Sequence, residues 1–218
     1  MTSLAILLRT SIEHWAAELR QSPLQKLAKR GELTPRALAL YLESLRYLLH
    51  HSERNVMVAA ARSQELGLGA VVEYFERKAS EEQGHDSWAS DDLALLPKGI
   101  VKEVQPAPSA IALTNLQRRS IVQHPLCFVA YILWAEYFTV LLGDEWLAAL
   151  ATCGYERSQV SAVAKHVEAD REHAARGFDE LDGLWKGQPA SSVVLGVVEE
   201  AKRLFEAFCD EICSEARL

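Results

Sequence analysis

Apolar residues recur at three- and four-residue intervals along almost the whole chain, and nowhere in the two-residue alternation of a strand. Leu4, Leu7, Leu8, Ile12, Trp15 and Leu19 mark a first helix over about residues 2–21, which Pro23 ends. A short helix from Leu24 to Arg30 leads to Gly31. Thr34 followed by Pro35 then supplies a cap and a first-turn proline for a long helix reaching about Leu66. Gly67 and Gly69 separate it from a helix over about 70–90. Three prolines and a glycine between 97 and 109 predict the one clear loop, because such a stretch cannot propagate a helix. Helices over about 110–122, from Pro125 onward, over 156–182 and over 190–216 complete an all-α chain.

Composition narrows the class. The 218 residues, about half of them hydrophobic, suffice for a single domain with a sizeable core. A net charge of −7 with no Lys/Arg cluster argues against nucleic acid as the main partner, since binding phosphates needs a basic surface. LCFVAYILWAEYFTVLL is long enough to span a membrane. However, Glu136 sits near its middle and no second such segment exists, so a buried core helix and no membrane are expected. The apolar run in MTSLAILLRT is too short for a signal peptide, and a cytoplasmic location follows as the expectation. Cys127, Cys153, Cys209 and Cys213 form no CxxC pattern and read as small buried hydrophobes.

The ionisable residues change the picture more. In KHVEADREH, His166, Asp170 and His173 project from one helical face. They share an arc of about 140° with Val163, Val167, Ala174, Gly177, Phe178 and Leu181. Lys165, Glu168, Arg171, Glu172, Arg176, Asp179 and Glu180 occupy the other side. Burying three such groups unpaired costs several kcal/mol, so something inside the fold must satisfy them. Glu82 and His85, three apart, share a face with Val71, Tyr74 and Trp88, although Lys78 lies there too. Glu136 sits among Val129, Ile132, Leu133 and Val140. One inward histidine alone reads most simply as a hydrogen-bonded core residue, and Glu82 alone as a solvated member of the pair Glu81–Glu82. Three histidines and three carboxylates on three apolar faces read differently. Two divalent metals bridged by carboxylate satisfy the whole set, and imidazole and carboxylate without thiolate suit iron or manganese.

At these residues the chain resembles a known family, the heme-oxygenase-like diiron oxidases and oxygenases. GELTPRALALYLESLRYLL, EEQGHDSWASDDL, HPLCFVAYILWAEYF and, most specifically, KHVEADREH carry the resemblance, which runs from about Leu24 to Leu184. It implies a heme-oxygenase-like bundle of about seven helices, two non-heme irons and activation of O2. It also implies Glu82, His85, Glu136, His166, Asp170 and His173 as metal ligands. The expected division gives His85 and His166 to one iron and Asp170 and His173 to the other, with Glu136 and Glu82 as bridges. Family members act on fatty acids, amino acids or amines, so a small organic substrate is expected, with an external electron donor as a candidate partner. Tyr47, Tyr74, Trp88, Tyr131, Trp134 and Tyr137 are the candidate pocket aromatics, and no inward arginine stands out as a carboxylate clamp.

Three other readings compete. LLRTSIEHWAAEL is similar to the proximal segment of true heme oxygenases, with His14 as the axial ligand, but YILWAEYF lacks the glycines of a heme's distal side. Cofactor-free relatives, similar to thiaminase-type hydrolases, lack the full ligand set. A metal-binding or interaction protein without turnover is the third. The C-terminal helix, with Val193, Val194, Val197, Val198, Leu204, Phe205, Phe208 and Ile212 on one face, either closes the bundle or pairs with a second chain. A homodimer is the expectation.

Overall fold

The local signals that start and stop helices explain most of the architecture. In the computed structural model, which describes residues 3–217, ten α-helices follow one another with no strand among the described residues. They are α1 (Leu4–Leu19), α2 (Pro23–Lys29), α3 (Pro35–Glu65), α4 (Gly69–Glu82), α5 (His85–Ala94), α6 (Lys98–Val101), α7 (Pro108–Gln123), α8 (Pro125–Thr152), α9 (Ser161–Trp185) and α10 (Ser191–Glu215). Seven of them have at least 14 residues, and α2, α5 and α6 are shorter. The expected start of the first helix at residue 2 lies outside the described residues.

Ser3, Ser22 and Thr34 each accept the backbone N–H three residues on, which satisfies donors that a helix start leaves unpaired. Prolines open α2, α3, α7 and α8, where a missing N–H costs nothing. Two expectations are corrected. The helix foreseen over 70–90 is broken, because Gln83 leaves the helix and Gly84 takes a left-handed conformation at φ 77°, so Glu82 ends α4 and His85 begins α5. The loop at 97–109 contains one short helix, α6.

α8 forms the centre. Every residue from Pro125 to Trp134 is buried. Among the described residues it is the one helix long and apolar enough to cross a membrane, and 67% of its most apolar window is buried. α9 is its most extensive neighbour. Glycine makes that approach possible at two places: a Cβ on Gly143 of α8 would overlap Val167 Cγ2, and one on Gly177 of α9 would overlap Leu133 Cδ2. α10 lays Val194, Val197, Val198, Phe208 and Ile212 into the core against α7, α8, α2 and α3, so its apolar face closes the bundle. All four cysteines are free, and three of them are buried.

The start of α9 is held from another helix. Asp92 of α5, 1% exposed, accepts Ala162 N–H at 2.8 Å and the Ser161 hydroxyl at 2.7 Å. It is a helix cap supplied across the fold, and it ties the helix bearing His85 to the helix bearing His166. Asp92→Ala is expected to lower stability by about 1–3 kcal/mol, because the buried Ala162 N–H and the half-buried Ser161 hydroxyl lose their acceptor. Urea unfolding with an unchanged slope and an earlier midpoint would register it.

Candidate metal centre

The end of α4, the first residue of α5 and the facing sides of α8 and α9 converge on one buried cluster. Glu136 of α8 is 5% exposed, and Asp170 and His85 are each 7% exposed. Glu136, Asp170 and His173 each offer a ligand atom within 4.8 Å of the others. His173 Nδ1 lies 3.9 Å from Glu136 Oε1 and 3.7 Å from Asp170 Oδ1. On the other side, the His85 and His166 rings meet edge to face at 5.0 Å, and His85 Nδ1 lies 3.7 Å from Glu82 Oε2. All six residues expected from the sequence therefore face one region.

The structure adds three residues. Lys78 is 2% exposed, and its ammonium donates to Glu136 Oε1 at 2.5 Å and contacts Glu81 Oε2 at 2.7 Å. Glu81 turns inward rather than into solvent: Arg176 donates to it at 3.0 Å, and its Oε2 lies 3.8 Å from His173 Nε2. Trp88 walls the imidazole pair, stacked on His85 at 4.0 Å and edge-on to His166 at 5.2 Å.

Burial sets the protonation of the cluster. It pushes Glu136 up to about 8, with Asp170 and Glu82 adding to the rise and Lys78 opposing it. Burial likewise raises Asp170 well above the ordinary carboxylate range, and raises Glu82. It lowers His85 to about 4, with the neighbouring His166, His173 and Lys78 adding to the fall, and it lowers His166. For Lys78 burial pulls downward, but Glu136 and Glu81 together outweigh it, so its pKa lies above the ordinary lysine value. His166 Nδ1 is 2.7 Å from the Ala162 carbonyl oxygen. A carbonyl only accepts, so Nδ1 carries the proton and Nε2 presents a lone pair.

These directions yield a pH dependence for the metal-free protein. A carboxyl whose folded pKa is raised contributes stability that is full below its unfolded pKa and is lost as pH rises through the folded one. A histidine whose folded pKa is depressed contributes stability that is present above its unfolded value and is lost as pH falls through the folded one. Above the ordinary histidine value of 6.5 only the carboxyl effect remains. Stability is therefore expected to fall between pH 6.5 and about 8, and Glu136→Gln to flatten that slope. Thermal melts in chelator across this window measure it.

Glu136 Oε2, His85 Nδ1, His166 Nε2 and His173 Nδ1 are all buried without a hydrogen-bond partner. Buried polar atoms are rarely left so, and these are lone-pair atoms of the type that ligates a cation. The donor set contains imidazole and carboxylate but no thiolate, and it fits iron or manganese. From the cluster, a cavity of about 210 Å³ continues into the bundle. Tyr41, Tyr131, Trp134, Trp146, Phe205 and Phe208 line it, and no lysine or arginine does among the described residues.

Of the six aromatic residues expected to line a pocket, Tyr131 and Trp134 do so. The other four are elsewhere: Tyr137 donates to Glu13 near the surface, Tyr47 packs on His51, Tyr74 packs on Phe75, and Trp88 backs the imidazoles. The proximal-histidine alternative fails on geometry. The His14 side chain is 80% exposed and lies 3.4 Å from Glu18, so it faces solvent rather than a heme pocket.

The fold and buried cluster define a helical protein with a heme-oxygenase-like fold. A crystal structure of a domain of unknown function with a heme oxygenase-like fold from Shewanella denitrificans OS217 superposes with a TM-score of 0.85 at 22% identity, covering 100% of this chain and 95% of that one. No protein-family model and no curated protein matches the sequence.

Proposed function

We propose that this protein is a non-heme diiron oxidase or oxygenase that activates O2 to oxidise a small organic substrate. The observation that carries the reading is the set of four unpartnered ligand atoms, drawn from α5, α8 and α9, in one buried cluster opening onto an apolar cavity. His85, His166 and Glu82 would hold one ion, and Asp170 and His173 the other, with Glu136 between them. Bound ferrous ions would supply the electrons and the open coordination positions for O2, and manganese is the alternative metal. The chain's own residues do the rest. Ala162 fixes the tautomer of His166, and Trp88 holds both imidazole planes. The aromatic lining keeps water from the reacting atoms and accepts the substrate's apolar part. With no cation in the cavity to pair a carboxylate, an amine or the hydrocarbon part of a fatty acid or amino acid is the end that lies inside. An electron donor and a second copy of the chain are candidate partners, and the cytoplasm the proposed location.

Anaerobic ferrous loading followed by exposure to O2 tests this. About two irons per chain and an O2-dependent absorption transient are expected. Fewer than about one iron per chain with no transient would sink the reading. Iron that binds but oxidises at a rate no small molecule alters would favour a metal-binding protein without turnover.

A further inference from the structure

The cluster already contains a cation. Lys78 reaches from α4 into its interior, and the two carboxylate oxygens it engages, Glu136 Oε1 and Glu81 Oε2, are also those nearest His173. The ammonium therefore sits on the Glu136–Asp170–His173 side. Among the described residues no lysine bonds to His85, His166 or Glu82, Lys165 standing over the ring of Trp88, and Glu136 Oε2 is unpartnered. We propose that Lys78 takes the charge position of one metal ion in the unloaded site, so that the two ions bind in order and unequally. This rests on the diiron reading and deepens it.

Charge and shared oxygen atoms set the order of binding. The first ion finds the facing imidazoles of His85 and His166 with Glu82 beside them, and need not displace a bond. The second needs Glu136, Asp170 and His173 together, and there it competes with an ammonium for Glu136 Oε1. Two cations held so close in a dry interior repel strongly, so Lys78 must let go of Glu136 as the second ion arrives. Glu81 gives it a place to stay. It keeps Lys78 at 2.7 Å and Arg176 at 3.0 Å, so the ammonium can leave Glu136 without losing its last anionic partner. Lys78 is thus a positioning residue that sets metal occupancy, and it does not touch the substrate cavity.

Calorimetric titration of the full chain with Mn(II), repeated with anaerobic Fe(II), tests the proposal in wild type, Lys78→Met and Lys78→Gln. The wild type is expected to show two classes of site differing by roughly tenfold or more in affinity. Both variants are expected to tighten the weaker class by roughly tenfold or more and to leave the tighter class within about threefold. Two equal sites in the wild type, or an unequal pair unchanged by both substitutions, overturns the role of Lys78 while the metal reading stands. No binding in any of the three chains overturns both. Should neither variant fold, crystals of the wild type at limiting and saturating Mn(II) decide: Lys78 bonded to Glu136 with one ion present, and released with two, is the expected result. Lys78 on Glu136 with both ions bound overturns it.

Discussion

Gly143→Ala is expected to destabilise the protein, although alanine is the better helix former. In an exposed helix interior the exchange gains about 1 kcal/mol, as expected for Gly196→Ala in α10, where an added Cβ meets nothing within 4 Å. At Gly143 the added carbon overlaps Val167 Cγ2, and a β-branched side chain on a helix has essentially one rotamer, so it cannot turn aside. Overpacking of this kind costs about 1–3 kcal/mol and outweighs the gain in propensity. Gly177→Ala meets Leu133 Cδ2, which is more mobile, and is expected to cost less. The two together force α8 and α9 apart at both ends of the stretch, 133–143 against 167–177, that carries Glu136, Asp170 and His173. The double variant is expected to lose about 2–5 kcal/mol, a fall of roughly 5–15 °C in Tm for a chain of this size, and to bind metal more weakly than its residual stability explains. Thermal melts beside Gly196→Ala, which is expected to raise the Tm slightly, measure it.

Lys78→Met in the metal-free protein is expected to cost about 3–5 kcal/mol at about pH 10, where Glu136 is ionised beside Lys78 in the wild type, the usual consequence of leaving one member of a buried ion pair alone. The loss shrinks at lower pH. Glu136 titrates at about 8 with Lys78 beside it and higher once Lys78 is gone, so at pH 8 and below it escapes by taking up a proton instead of remaining a lone buried anion. The sign therefore separates an ion-pair effect from a packing effect. Methionine fills much of the lysine's volume at any pH, whereas the charge penalty appears only as Glu136 ionises. Melts in chelator at pH 6 and at about pH 10 are expected to differ by several degrees more in the variant than in the wild type.

Much of this was legible in the sequence because the signals are local. Ser22–Pro23, Thr34–Pro35 and the proline at 125 start α2, α3 and α8 within a residue or two of where the pattern places them. His166, Asp170 and His173 stand on the same side of one helix as Val163, Val167 and Phe178, and helical spacing alone puts them inside. What the sequence hid depends on contacts between distant elements. Gly84 reads equally as a tolerated helical glycine or a break, and only the packing of α5 against α3 and α9 selects the break. Glu81 and Glu82 are adjacent acids of which spacing turns at most one inward; Lys78, Arg176 and His173, from two helices, draw Glu81 in as well. Asp92 belongs to a polar run in its own helix, and its partners, Ser161 and Ala162, lie about seventy positions along the chain. Trp146, Phe205 and Phe208 line the cavity because α8 and α10 cross there, which no single-helix pattern reveals.

We propose that the six side chains hold two metal ions. Anomalous diffraction at the iron edge, from crystals loaded anaerobically with saturating ferrous iron, tests it most directly. Two iron peaks are expected, one beside His85 and His166 and one beside Asp170 and His173, with Glu136 reaching both. Full ferrous saturation with no iron peak among Glu136, His166 and Asp170, and Lys78 still bonded to Glu136, would contradict it.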